Sequence, residues 1–157
     1  MSDQAEDRAD VVVRPPLMWF MLVGAGYGLS WLVPLRFVPG DWPNIWIGAG
    51  VFAIGFVIAL WSARQFKNFR GDVDTHTPPS ALVDSGPFAI SRNPIYCGML
   101  LGTIGAAIAA DTLWIIAGLV IWYPVMRYGV IGREEEYLER HFGAPYLDYK
   151  SRVRRWI

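Results

Sequence analysis

The sequence predicts an all-α integral membrane protein: about four transmembrane helices, a C-terminal helical hairpin and short amphipathic helices at the cytoplasmic face. Three observations carry this reading. The 157-residue chain is 54% hydrophobic and only 18% charged, where average soluble domains run nearer a quarter charged. Four apolar stretches recur along it, and the first two are each about 20 residues long. At 1.5 Å per residue that crosses a hydrocarbon core of about 30 Å. Thirteen of the fourteen Lys and Arg fall in the segments that four spans would place on one side, as the positive-inside rule requires of the cytoplasmic face. The length suits one domain and not two.

Residues 1–16 are polar and acid-rich and end in Pro15-Pro16. They lack the basic start and small-residue cleavage site of a secretory signal, so a short disordered cytoplasmic tail is expected, with a single membrane domain over 17–157. The first span is expected over 17–35 and the second over 44–63, with Trp19, Trp31, Trp42, Trp46 and Trp61 near their ends, where indole rings favour the interface. The third, 95–110, is shorter, about 24 Å of helix. Asp111-Thr112 turns it directly into the fourth, 113–131, which carries Pro124 and Arg127 near its end. Cytoplasmic helices follow over 133–157. Only Arg36 lies in the opposite loops, which places both termini in the cytoplasm and the protein in a bacterial inner membrane. Gly98, Gly102, Ala106 and Ala110 repeat every four positions, as do Gly24 and Gly28, and such stripes let helix backbones approach closely. Oligomeric state stays open, because the same stripes serve packing within or between chains.

Several function classes drop out. Net charge is zero, so no electrostatic case for nucleic-acid binding exists. Cys97, the only cysteine, excludes an intrachain disulfide and a cysteine-rich zinc site. Neither His76 nor His141 has a second His at ligand spacing, and no metal is expected. The run Gly24-Ala25-Gly26-Tyr27-Gly28 echoes a nucleotide-binding loop but lacks the preceding strand and full spacing.

The chemistry gathers at the start of the third helix and the end of the fourth. Asn93 is a strong N-cap and Pro94 suits the first helical position, which leaves unsatisfied amides and a positive dipole end for a carboxylate or phosphate. Arg92 adds a permanent charge. The alternative is a plain capped helix with Arg92 snorkelling to headgroups. Tyr96 offers a ring and a hydroxyl, and Gly98 leaves room for a flat group against the backbone; both would equally serve packing. Glu134, Glu135 and Glu136 close the fourth span, a cluster that a cationic ligand would neutralise. Glu136 and Arg140 are spaced to pair across one turn. Phe142-Gly143 marks a helix end before a short tail helix. Tyr146, Tyr149, Val153 and Trp156 recur at helical spacing, as an interfacial anchor or a lid, while Arg152, Arg154 and Arg155 are expected to meet anionic lipid.

In order along the chain, Thr75-His76-Thr77-Pro78, Leu82 to Phe88, Ser91 to Gly98, Glu134-Glu135, Leu138, Phe142-Gly143, Tyr146, Tyr149 and Arg152 to Trp156 resemble the C-terminal half of isoprenylcysteine carboxyl methyltransferases and the related phospholipid methyltransferases. The resemblance covers about residues 75–157. It implies an integral membrane transferase using S-adenosylmethionine, enclosed by the C-terminal segment, with a lipophilic substrate entering from the bilayer. By position, Arg92, Asn93, Pro94, Tyr96 and Gly98 would line the pocket, with Glu134 and Glu135 opposite and Tyr146 and Tyr149 over it. Arg92, Asn93 and Glu134 would be the residues nearest the chemistry. Prenylcysteine enzymes typically have His where Asn93 stands. An amide cannot exchange protons, which puts carboxyl methylation of a prenylated protein in doubt. Two other classes compete: a membrane reductase using NADPH, with Arg64, Lys67 and Arg70 as phosphate contacts, and a non-enzymatic membrane scaffold.

Overall fold

In the computed structural model, which describes residues 12–40, 42–70 and 82–157, every regular element among the described residues is helical. Residues 1–11 of the expected tail and Thr75-His76-Thr77-Pro78 lie outside the described residues.

The first helix, α1 (Pro15–Leu32), takes both prolines into its opening turn. A proline there gives up an N–H that has no helical partner anyway, so the pair begins the helix instead of ending a tail. Val33 is extended and closes α1, as the residue before Pro34 prefers; the expected end at 35 was too late. The second helix, α2 (Asn44–Arg70), runs past the expected limit of 63. A short 3₁₀ turn, Gly86–Ala89, precedes α3 (Pro94–Ala109). Next comes α4 (Leu113–Pro124), and then a π-helical stretch, Val125–Ile131, runs on into α5 (Gly132–Phe142).

That π stretch replaces the uniform α-helix expected to 131. Pro124 has no N–H to donate and crowds the preceding turn, and the ladder after it shifts to wider bonds, with Gly132 N–H donating to Arg127 O. Gly143, at φ 59°, breaks the chain direction between α5 and α6 (Ala144–Arg152). This is a backbone region where a side chain is strained. Asn44–Asn68 and Leu113–Phe142 are long and apolar enough to cross a membrane, and Pro94–Ala109 is a shorter apolar helix. Phe20, Ile54, Phe56, Val57 and Val120 are each more than half exposed, a surface suited to lipid and costly in water.

The α2–α3 contact is backbone on backbone. A Cβ at Gly55 would lie 2.6 Å from Gly102 N, and one at Gly98 would lie 2.6 Å from Gly55 O. On α1 the structure corrects the expectation: Gly24 and Gly28 face open space, and Gly26 is the residue pressed against the Ile115 backbone. Trp19 is likewise no interface anchor, since its indole N–H reaches Met99 O (3.0 Å) and Thr103 Oγ1 (2.7 Å) on α3. At the far end of α3, the Ala110-Asp111-Thr112 link carries Asp111 at φ 45°. The Asp111 carboxylate accepts from Phe37 N (2.9 Å) and Val38 N (2.8 Å). Those two bonds, with Arg36 nearby, hold the carboxyl below its ordinary range.

Two apolar clusters flank the other end. Trp122, Met126, Val130 and Ile131 pack with Met18, Leu22, Tyr96, Met99 and Trp156. Tyr146, Tyr149 and Val153 pack with Leu82, Leu138 and Phe142, so three members of the tail stripe read from helical spacing form a buried seam, while the fourth, Trp156, joins the Trp122 cluster.

Candidate functional site

The start of α3 is a docking point for the tail. Asn93 occupies the N-cap position, but its side chain makes no cap hydrogen bond. Its Nδ2 donates instead to Arg155 O at 3.0 Å, and Ser91 Oγ donates to the same carbonyl at 3.2 Å. Ser91 Oγ in turn accepts the Asn93 N–H (3.1 Å), and the Arg92 N–H donates to Arg154 O (2.9 Å). The capping role expected of Asn93 is therefore replaced by a clasp on residues 154–155. Ser91 and Asn93 are both buried, and their polar groups are satisfied by this pairing, as burial demands.

Beneath the clasp lies a charge cluster. Arg155 grips Glu135 with a two-pronged fork, Nε to Oε1 at 2.9 Å and Nη2 to Oε2. Arg92 Nη2 stands 3.3 Å from Glu135 Oε1. The side chains of Arg92 and Glu135 are 9% and 8% exposed. Arg92 Nε and Nη1 are buried without a hydrogen-bond partner. Two orphaned donors on a buried cation are expensive, about 1–3 kcal/mol each and more where charge is involved. They are the one feature of the cluster that asks for an anion. The Glu135 fork keeps Arg155 charged beyond its ordinary range. Tyr146 lies beside Arg92, and burial, then the Glu135 charge, push its hydroxyl up to about 12. Tyr149 is also pushed up by burial, and its hydroxyl donates to Phe88 O at 2.8 Å.

Glu134 faces elsewhere. Neighbours on a helix point about 100° apart, and Glu134 Oε1 accepts from Tyr96 OH at 2.9 Å, beside the Trp122 cluster that Tyr96 packs against. The expected residues thus divide. Arg92, Asn93, Glu135 and Tyr146 gather under the tail, and Tyr96 and Glu134 form a second pair one helix face away. Pro94 is buried at the opening of α3. The open side expected at Gly98 is filled by the Gly55 and Ala59 backbone of α2, so its missing side chain serves helix packing. Tyr149 has its hydroxyl occupied by Phe88. Sequence reasoning placed Ser91 in the matched stretch without giving it a role, and sent Arg155 to lipid. The available signal was charge balance: a carboxylate run at the end of an apolar helix needs cations, and the Arg154-Arg155 pair lies within reach.

Described residues whose regular elements are all helices, two of them of membrane length, and a tail-covered ionic cluster fit a small membrane-embedded protein with a polar site at one end. Comparison with known proteins narrows the class. The phospholipid methyltransferase family profile matches residues 43–145, well over half the chain, and the chain belongs to that family. The match starts at α2, earlier than the expected resemblance, and stops just short of Tyr146. The mouse protein-S-isoprenylcysteine O-methyltransferase is 35% identical over 127 residues, covering 71% of this chain and 43% of the relative. A nickel-cobalt-cadmium resistance protein of Alcaligenes xylosoxydans is 25% identical over 120 residues, covering 72% and 52%. A cobalt-zinc-cadmium resistance protein of Cupriavidus metallidurans is 26% identical over 129 residues, covering 78% and 56%. The chain spans about half the length of the curated relatives it matches. No solved structure matches it.

Proposed function

We propose that this protein transfers a methyl group from S-adenosylmethionine to a lipophilic or amphipathic acceptor at the cytoplasmic face of a membrane, which four helices cross with both termini on that face. Family membership supports the reaction class. The observation that carries the assignment to this site is Arg92, a buried guanidinium with two unpartnered donors. A carboxylate suits such a site, because charge-assisted hydrogen bonds from a guanidinium to an anion are among the strong ones.

Arg92 would hold the carboxylate of the methyl donor. Glu134, steadied by Tyr96, would take an ammonium or ribose group, and Tyr146 would close the Arg92 side. The donor, when bound, supplies an electrophilic methyl carbon on a sulfonium. The chain's own residues then need no nucleophile. They align the two reactants and keep water away, effects worth on the order of 7–11 kcal/mol in good cases. Asn93 holds its amide on the tail and cannot take a proton. The Trp122 cluster supplies the apolar side, where the acceptor's hydrocarbon would lie.

Equilibrium titration of the purified protein with adenosylhomocysteine and, separately, with NADPH tests this reading. Adenosylhomocysteine binds and NADPH does not, and Arg92→Ala weakens the former about ten- to a hundredfold, the worth of a charged hydrogen-bond pair. Binding of NADPH alone would move the assignment to a reductase. Binding of neither would leave a scaffold.

A further inference from the structure

Arg92 does not aim itself. Its Nη2 is held by Glu135 Oε1, both Glu135 oxygens are held by the Arg155 fork, and the Arg155 carbonyl is held by Asn93 Nδ2 and Ser91 Oγ. The circuit closes on itself, since the Arg92 N–H binds Arg154 O. Among the groups of this ring, Arg92 Nε and Nη1 are the buried side-chain donors left without a partner. A long, flexible side chain is thereby held in one orientation, with Nη2 committed to Glu135 and Nε and Nη1 left for a ligand.

We infer that Glu135, Arg155 and Asn93 are positioning residues that act on the ligand only through Arg92, and that residues 154–155 are a structural part of the anion site. This rests on the proposed methyl-donor site and specifies how its carboxylate is recognised. It reassigns Asn93 and Glu135 from ligand contacts to supports, and it brings in Arg155, which lies beyond the family match at residues 43–145. Arg155 cannot be exchanged for Lys without loss, because an ammonium has no fork with which to hold both Glu135 oxygens.

The test compares two probes that differ in one group: adenosylhomocysteine and its decarboxylated counterpart, which keeps the amine. The wild type prefers the carboxylated probe by about tenfold or more, the size of one charged hydrogen bond. Arg155→Lys, Arg155→Gln and Asn93→Leu each reduce that preference to about threefold or less, while affinity for the decarboxylated probe changes by less than about twofold. Arg155→Lys keeps the charge and the bulk, so it carries the test if a more drastic variant fails to fold. Equal weakening of both probes would mean a merely structural role and would overturn the inference, as would an undiminished preference in the Arg155 variants. Failure of the wild type to bind either probe would instead sink the methyl-donor reading itself.

Discussion

Glu134 and Glu135 sit side by side on α5, and helical rotation of about 100° sends them to different partners. Glu135 neutralises two guanidinium groups, one of them buried, whereas Glu134 accepts from the neutral Tyr96 hydroxyl. Removing each charge therefore has a different cost. Glu135→Leu leaves the buried Arg92 and the partly exposed Arg155 without their carboxylate, and breaking a buried pair from one side costs about 3–5 kcal/mol. Thermal unfolding in detergent falls sharply for this variant. Glu134→Gln keeps an oxygen for Tyr96 and loses only charge. Its unfolding midpoint stays close to wild type, while adenosylhomocysteine binds about ten- to a hundredfold more weakly. If the two variants exchanged these phenotypes, the division of roles would be wrong. The carboxylate run and the cationic turn could be read along the chain, because both are unusual next to apolar helices. Their pairing could not. Glu135 meets Arg155 across 20 positions, and α5 and α6 must fold back at Gly143 before that contact exists.

The helices follow the same pattern. Hydrophobic runs and prolines located each one, since apolar length and a missing N–H act locally. The π stretch after Pro124 and the α2 extension to Arg70 depend on what the backbone packs against, so composition alone did not reveal them. The glycine stripes divided for the same reason: Gly98 and Gly102 found α2, and Gly24 and Gly28 meet nothing within 4 Å among the described residues. The link between α3 and α4 offers a pH test. Asp111 gains two backbone N–H bonds on folding, which lower its pKa. A depressed carboxylate stabilises the fold above its unfolded pKa, and that stability is lost as pH falls through the folded value. Asp111→Asn keeps an acceptor oxygen and tolerates the left-handed backbone. It melts lower than wild type near neutral pH, and the two midpoints converge in strong acid, where the wild-type carboxyl is also neutral. A gap that stays constant with pH would rule out the charge as its source.

Across the molecule, α3 separates two polar ends. Its 16 residues make about 24 Å of helix, with the Arg92–Glu135–Arg155 ring at one end and the Asp111 turn bonded to residues 37 and 38 at the other. If the site holds a charged cytosolic metabolite, as proposed, it must open to the cytoplasm, and the ring end and the chain terminus would then lie on that side and the Asp111 turn on the other. The charge asymmetry agrees, with Arg36 the one cation beside the turn. Single cysteines in a Cys97→Ser background decide the matter. Gly40 has open space around its missing side chain, and Ile157 is 81% exposed, so either position accepts a thiol that reagents can reach. In intact cells a membrane-impermeant maleimide labels Gly40→Cys, and Ile157→Cys is labelled only after the membrane is opened. The reverse pattern would turn the ring outward, away from any cytosolic methyl donor, and labelling of both positions in intact cells would mean that α3 does not divide the two compartments.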